Sequence, residues 1–236
     1  MDRIPLLSIQ NLQVKIPANN YSLPKSLLAV NDISLELYPG EVLALVGESG
    51  CGKTMTALAT MGLIPPTATI SYGRVVFDGK DLLTQSDKEL RYLRGNRISM
   101  IFQDPATALN PTLTIGDQIT ECYLLHYQKT RNIARDLAIN LLEKVGIQDP
   151  IRVYNGYPHH LSGGMRQRAI IAMALICEPD LLIADEPTTA LDTTVQAQII
   201  DLLIELQEQY GMSILFISHN MAVVSQIADN IAVMYA

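Results

Sequence analysis

Three stretches of this sequence combine residue types suited to phosphate chemistry. Gly47-Glu48-Ser49-Gly50-Cys51-Gly52-Lys53-Thr54 meets the spacing G-x-x-x-x-G-K-[ST] at every fixed position. Glycines there let successive backbone N–H groups turn inward on an anion, and a helix starting near Lys53 adds partial positive charge. Lys53 suits the outer phosphates of a nucleotide, and the Thr54 hydroxyl suits a Mg²⁺ ligand. Glu48, Ser49 and Cys51 fill free positions and count as nucleotide-binding only as members of the loop; the Cys51 side chain has no assigned role. Asp185-Glu186 directly follows the aliphatic run Leu181-Leu182-Ile183-Ala184. A carboxylate at the C-terminal edge of a buried parallel strand lies where ligands bind in such sheets. Asp185 can hold Mg²⁺ through water, and Glu186 can orient or deprotonate an attacking water. A surface acidic pair is the plainer alternative, but such pairs rarely follow four buried aliphatics. A second carboxylate beside the metal ligand argues for hydrolysis by water over transfer to a hydroxyl, which makes ATP the substrate of an ATPase.

The third stretch is Leu161-Ser162-Gly163-Gly164-Met165. Ser162 is a good N-cap, and the two glycines expose backbone N–H groups at the start of a helix expected over 165–177. That makes a second anion site far along the chain from the first. One nucleotide needs one phosphate loop, so this site would serve a nucleotide held by another subunit. A capped helix with a flexible entry explains the same residues, and on them alone both readings stand.

The elements that must position these groups alternate. Leu12, Val14 and Ile16, then Ile33, Leu35 and Leu37, alternate with polar residues as half-buried strands do. Pro39-Gly40 turns the chain into the unbroken apolar run 42–46, of the kind buried on both faces of a parallel sheet. A strand over 75–77 ends at the turn Asp78-Gly79. Over 87–146 the period changes: Ile133, Leu137, Leu141 and Val145 recur every four residues, with Gly146 at a helix C-cap. This region reads as a mostly helical insertion. A helix with Val195, Ile199, Leu202 and Leu206 on one face follows the Asp185-Glu186 pair. Next comes the strand Ile214-Leu215-Phe216-Ile217. Strands alternating with helices predict an α/β fold with a parallel sheet. The chain ends at Val233-Met234-Tyr235-Ala236, inside what reads as another strand, as a shortened chain would.

The totals narrow the function classes. The 236 residues fit one large domain, and 48% hydrophobic against 17% charged residues supply a core. With 24 acidic and 17 basic residues the net charge is −7, which disfavours a nucleic-acid binder. The N-terminus lacks an apolar signal core. The longest apolar run, 169–177, is about half the roughly 18 residues of a membrane span. The expectation is a soluble protein that meets membranes through partners. Cys51, Cys122 and Cys177 show no paired ligand spacing, so reduced thiols fit better than a metal site.

With these residues in hand, the chain resembles ATP-binding-cassette (ABC) transporter ATPases, over about residues 8–236. Residues 161–164 look like the family's signature motif, which implies that Ser162, Gly163 and Gly164 contact a nucleotide. Gln103, in Met100-Ile101-Phe102-Gln103-Asp104-Pro105, resembles the Q-loop glutamine, which implies a place near the metal or attacking water. Thr189-Ala190-Leu191-Asp192 resembles the D-loop, with Asp192 at the nucleotide site. His219, in Ile217-Ser218-His219-Asn220, resembles the switch histidine that senses the γ-phosphate; a lone histidine after a strand would usually be structural. The resemblance implies a P-loop NTPase (RecA-like) parallel-sheet core, an N-terminal antiparallel β subdomain and an inserted α-helical subdomain. The parts would span about 1–86 (β subdomain with the phosphate loop), 87–160 (helical) and 161–236 (signature helix and remaining core). The family's adenine-stacking aromatic is not clearly placed: Tyr21 is a candidate, though Pro24 stands nearer the expected offset.

The run 157–168 together with 184–192 looks most like the ATPase subunits of dipeptide, oligopeptide and nickel importers, where Met165 is a feature of the branch. That implies a second ATPase subunit, identical or different, two permease subunits and, indirectly, an extracytoplasmic substrate-binding protein, with no nucleic acid. It also implies a place on the cytoplasmic face of the membrane and a C-terminal extension that this sequence lacks. The loop 105–114 and the helix after it, with Asp117 and Glu121, would dock a permease helix. An exporter ATPase or a non-transport cassette protein is the alternative.

Overall fold

The unbroken aliphatic runs become buried parallel strands, and the alternating ones become an antiparallel sheet. The computed structural model describes residues 3–17, 26–189 and 191–235. In chain order the strands and helices are β1 (Leu7–Pro17), β2 (Ser26–Leu37), β3 (Val42–Gly47), α1 (Lys53–Thr60), β4 (Thr69–Phe77), β5 (Lys80–Asp81), α2 (Asp87–Leu93), β6 (Ile98–Ile101) and α3 (Pro105–Ala108). They continue as α4 (Ile115–His126), α5 (Arg131–Lys144), α6 (Pro150–Asn155), α7 (Gly163–Leu175), β7 (Leu181–Asp185), α8 (Thr193–Tyr210), β8 (Ser213–Ser218), α9 (Met221–Ile227) and β9 (Asn230–Met234). The chain divides into two compact units, Met1–Arg91 with Ser213–Ala236, and Tyr92–Met212.

In the first unit, β1 runs antiparallel to both β2 and β4, with Leu7 opposite Leu37 on one side and Phe77 on the other. Leu7, Ile9, Leu12 and Val14 are all buried, although strict alternation would turn Leu12 outward. A bulge between Ile9 and Leu12, with Asn11 at φ 48, resets the phase and keeps both side chains inside. The expected turn at Asp78-Gly79 joins β4 to β5, and both residues have positive φ (48 and 75), the hairpin geometry that matches strand twist. Behind this sheet, β3 pairs in parallel with β8 and β9, Leu43 standing opposite Leu215 and Asn230. Val42 to Val46 are buried on both faces, as a doubly covered strand requires.

In the second unit, β6 and β7 pair in parallel, Met100 opposite Ile183. Strand β6 corrects the helical reading of 87–160. Its four residues Ile98 to Ile101 are all buried, yet so short a run, broken by Ser99, carries no period that separates strand from helix. Helix α5 corrects a second expectation. Ile133 and Leu137 are 45% and 41% exposed, while Ala134, Ala138, Leu141 and Leu142 form the buried stripe. Small alanines let α5 lie close on its neighbours, so Ile133 and Leu137 sit at the rim while Leu141 and Val145 of the same four-residue ladder are buried. Gly146, at φ 81, does follow the helix end as expected. Helix α8 buries Ile199, Leu202 and Leu206 as its period predicts.

Candidate nucleotide site

The phosphate loop grows from the end of β3 and closes into α1. Gly50 and Gly52 take φ 87 and 98, values that favour glycine, and Gly52 is the left-handed N-cap of α1. Two glycines are also fixed by space. A Cβ on Gly47 would run into the carbonyl oxygen of Met234 on β9, and one on Gly52 into that of Ala29 on β2. The loop is therefore wedged between two strands. Lys53 is only 6% exposed, and its ammonium donates to the carbonyls of Gly47 at 2.8 Å and Glu48 at 2.9 Å. Its charge is already out of bulk water and turned onto the concave side of the loop. The Cys51 thiol is buried beneath the loop, 3.8 Å from the Lys53 ammonium.

His219 follows the last residue of β8, next to β3 in the same unit. It lines a recess of about 460 Å³ with Gly47, Glu48 and Ser49. Parallel pairing of β3 with β8 puts both strand ends on one edge, so the loop and the histidine open into one space. Tyr21 and Pro24, the adenine-stacking candidates, lie outside the described residues.

In the second unit, Asp185 ends β7 and is 1% exposed. Glu186 departs from the strand at φ 48, a left-handed conformation that costs a non-glycine residue on the order of 1 kcal/mol or more. Its carboxylate oxygen Oε2 accepts from the Gln103 amide at 3.0 Å and from the Thr189 hydroxyl at 2.9 Å. Gln103 follows the end of β6 and Glu186 the end of the adjacent β7, so parallel pairing again brings two loop residues together. Thr189 was seen in the sequence only as part of a motif, and its contact on Glu186 had no signal there. Gln196, which was not singled out in the sequence, donates from its amide to the Thr188 and Leu191 carbonyls and braces that loop. Asp192, expected at the nucleotide, accepts from the Val195 N–H at 2.9 Å and caps α8.

Ser162 is the N-cap of α7, accepting from the Met165 N–H at 3.3 Å. The helix starts at Gly163, two residues before the expected Met165, and ends at Leu175. The reason is the cap itself, which forces the next two residues into helical geometry. Gly163 and Gly164 are thus its first-turn residues, whose N–H groups have no partner within a helix. A Cβ on Gly163 would meet only Leu191, at 3.6 Å; one on Gly164 would press on Val195, at 2.9 Å. One turn further, Gln167 is fully buried with neither amide atom partnered among the described residues, which costs about 1–3 kcal/mol.

A fold of parallel strands with a phosphate loop, an antiparallel sheet and a helical portion defines a class, and comparison identifies it: the ABC transporter family profile matches residues 30–189, and the chain belongs to that family. It is 53% identical over 232 residues to the dipeptide transport ATP-binding protein DppD of Bacillus subtilis, covering 98% of this chain and 68% of that protein. It is 49% identical over 242 residues to a putative peptide import ATP-binding protein of Brucella melitensis, 100% of this chain and 70% of that one. Among solved structures, it resembles the dimeric ATP-binding cassette MJ0796 in a post-hydrolysis state with ADP and Pi. The TM-score is 0.83 at 26% identity, over 97% of this chain and 94% of that one.

Proposed function

We propose that this chain is the ATP-hydrolysing subunit of a peptide importer. The observation that carries hydrolysis is the Glu186 carboxylate, held in a strained backbone setting between Gln103 and Thr189. Strain of this kind collects at functional positions. The peptide cargo rests on the relatives, whose names speak of dipeptide and peptide transport and not of nickel.

The residues fit the nucleotide. Gly47 and Gly52 leave no room for a side chain, so the backbone N–H groups can close on phosphate oxygens, and Lys53 needs only to exchange two carbonyl acceptors for phosphate. Bound MgATP supplies the phosphoanhydride that breaks and a cation that offsets its charge. Among the described residues no three His, Cys, Asp or Glu side chains group as metal ligands. We assign the cation's protein contacts to Thr54, Gln103 and Asp185, whose oxygens suit Mg²⁺ beside phosphate and water. The Gln103 amide and the Thr189 hydroxyl both donate to Oε2 of Glu186, and we assign the Glu186 carboxylate the proton of the attacking water. His219 is assigned a hydrogen bond to the terminal phosphate. Ser162, Gly163, Gly164 and Asp192 are assigned to a nucleotide bound by a second ATPase subunit.

Glu186→Gln tests the assignment: ATP binding persists while hydrolysis falls by ~10²-fold or more. Near-normal turnover would move the base elsewhere, with His219 the next candidate.

Among the described residues, no helix is long and apolar enough to cross a membrane. Contact with the membrane is assigned to permease subunits at the cytoplasmic face, and cargo delivery to an extracytoplasmic binding protein. The docking surface proposed is a groove of about 410 Å³ on α4, lined by Leu113, Asp117, Glu121, Leu124, Leu125 and Tyr154. Leu125 is 76% exposed there. We take 87–160 as the portion that couples to the permease, and 1–86 with 161–236 as the nucleotide-handling remainder. Asp117 accepts at 2.8 Å from the hydroxyl of Thr114, the N-cap of α4, so reversing its charge would disturb the helix as well. Glu121→Lys is the cleaner probe. Transport in membrane vesicles should fall while the ATPase rate of the isolated chain holds; equal losses in both would mean that the groove is only structural.

A further inference from the structure

Cys122 and Cys177 meet although they stand 55 positions apart in the sequence. Cys122 lies on α4, and Cys177 lies two residues past α7, in the turn that leads into β7. Their sulfurs are 3.8 Å apart, and both thiols are free. Gly95 makes the space: at φ 73 it has no Cβ, and one placed there would stand 2.5 Å from the Cys122 sulfur. Its carbonyl accepts from the Cys122 thiol at 3.2 Å.

The two thiols are not equivalent. Cys122 is half-buried, whereas Cys177 is 5% exposed. The hydrogen bond from the Cys177 thiol holds Cys122 below the ordinary thiol value, and that same bond together with burial pushes Cys177 up. A half-buried thiol backed by a buried one 3.8 Å away is the arrangement of an attacking and a resolving cysteine. A soft-metal site fits less well. His126, one turn along α4, has its Nε2 on the Arg94 carbonyl at 3.0 Å.

We propose that Cys122 and Cys177 form a reversible dithiol–disulfide pair that ties α4 to the turn entering β7 when low-molecular-weight disulfides accumulate. The Cys122 thiol loses its proton, and the thiolate attacks one sulfur of the small disulfide, expelling one small thiolate. Cys177 then gives up its proton and attacks the Cys122 sulfur, expelling the second. Two protein thiols become one disulfide, and one small disulfide becomes two thiols. The sulfurs must close from 3.8 Å to about 2.05 Å, a displacement of the order that side-chain rotation supplies. In the reducing poise of a cytoplasm the pair stays open. Strand β7 ends at Asp185 with Glu186 next, and α4 carries the proposed docking groove. The cross-link would therefore hinder relative movement of the two; its effect on hydrolysis rests on the ATPase reading above.

The test equilibrates the whole chain in glutathione buffers of rising oxidised fraction, followed by acid quench, alkylation and peptide mapping by mass spectrometry. Expected is one cross-linked Cys122–Cys177 peptide, a protein lighter by two hydrogens, Cys51 alkylated throughout, and full reversal by dithiothreitol. In Cys122→Ser, Cys177 should stay reduced in the same buffers. Glutathione adducts on Cys122 that never resolve, pairing through Cys51, or three unchanged thiols at the highest oxidised fraction would each overturn the proposal. ATP hydrolysis measured in parallel should fall severalfold on oxidation, recover with reductant, and be indifferent to oxidant in Cys122→Ser. A disulfide that forms with hydrolysis unchanged removes the locking role. If the reduced protein hydrolyses no ATP, the ATPase reading fails, while the peptide map still decides the dithiol.

Discussion

The phosphate loop of the first unit and the signature segment of the second use the same ingredients, glycines at the start of a helix, and end in opposite states. The loop is wedged: Gly47 and Gly52 abut the carbonyls of Met234 and Ala29, and Lys53 is nearly buried with two acceptors of its own. The signature segment is open. Ser162 and Gly163 are exposed, and a Cβ on Gly163 would touch a single flexible leucine. A wedged loop is organised before its ligand arrives and loses little entropy on binding. An open helix start keeps its N–H groups available and holds nothing by itself. This contrast supports the proposal that the first binds nucleotide within the chain, and that the second contacts nucleotide brought by another subunit.

The largest expected effect falls on the wedged side. Lys53→Ala removes the cation that the loop supplies, and MgATP affinity should drop ~10-fold to 100-fold, as losing hydrogen bonds from a charged donor implies. Equilibrium binding with a fluorescent ATP analogue reads this directly, and an unchanged affinity in a stable protein would sink the loop assignment.

Next in size is complementation. Ser162→Arg chains and Lys53→Ala chains, each inactive alone, should regain partial ATPase activity when mixed, because one composite pair of intact loop and intact signature survives in the mixed dimer. Absence of rescue despite demonstrated mixing would leave the open segment serving its own chain. If the natural partner is a different subunit, the two variants are divided between that pair.

The smallest effect compares the two helix starts by stability. Gly52→Ala should destabilise the fold by about 1–3 kcal/mol, since φ 98 is strained for alanine and the Ala29 carbonyl blocks the methyl. Gly163→Ala should lie within about 0.5 kcal/mol of the parent and still slow hydrolysis by narrowing the approach of phosphate. Chemical denaturation measures both. Equal destabilisation would erase the distinction between wedged and open.

Much of this was legible in the sequence because local physics dictated it. The G-x-x-x-x-G-K-[ST] spacing specifies a strand, a turn that needs glycines and a helix start, and all three appear where expected. The aliphatic runs at 42–46, 181–184 and 214–217 are long enough, and apolar enough on both faces, to admit only buried strands. Ser162 announced a cap, and Asp78-Gly79 a hairpin turn. Strand β6 was not legible, because Ser99 breaks its apolar run. The rim position of Ile133 and Leu137 was not, because the stripe that wins burial on α5 is set by the neighbours it packs on.

Residue types and spacing, then, determined which side chains could do chemistry: a loop that cradles phosphate, a carboxylate pair after a strand, a capped anion site. The tertiary structure decided which of them touch. Gln103 and Thr189 converge on one oxygen of Glu186, His219 opens into the recess of the phosphate loop, and Cys122 meets Cys177 across 55 positions. Sequence patterns report a residue's neighbours along one element. Contacts between elements depend on strand pairing and helix packing, which are settled only when the whole chain has found its buried area.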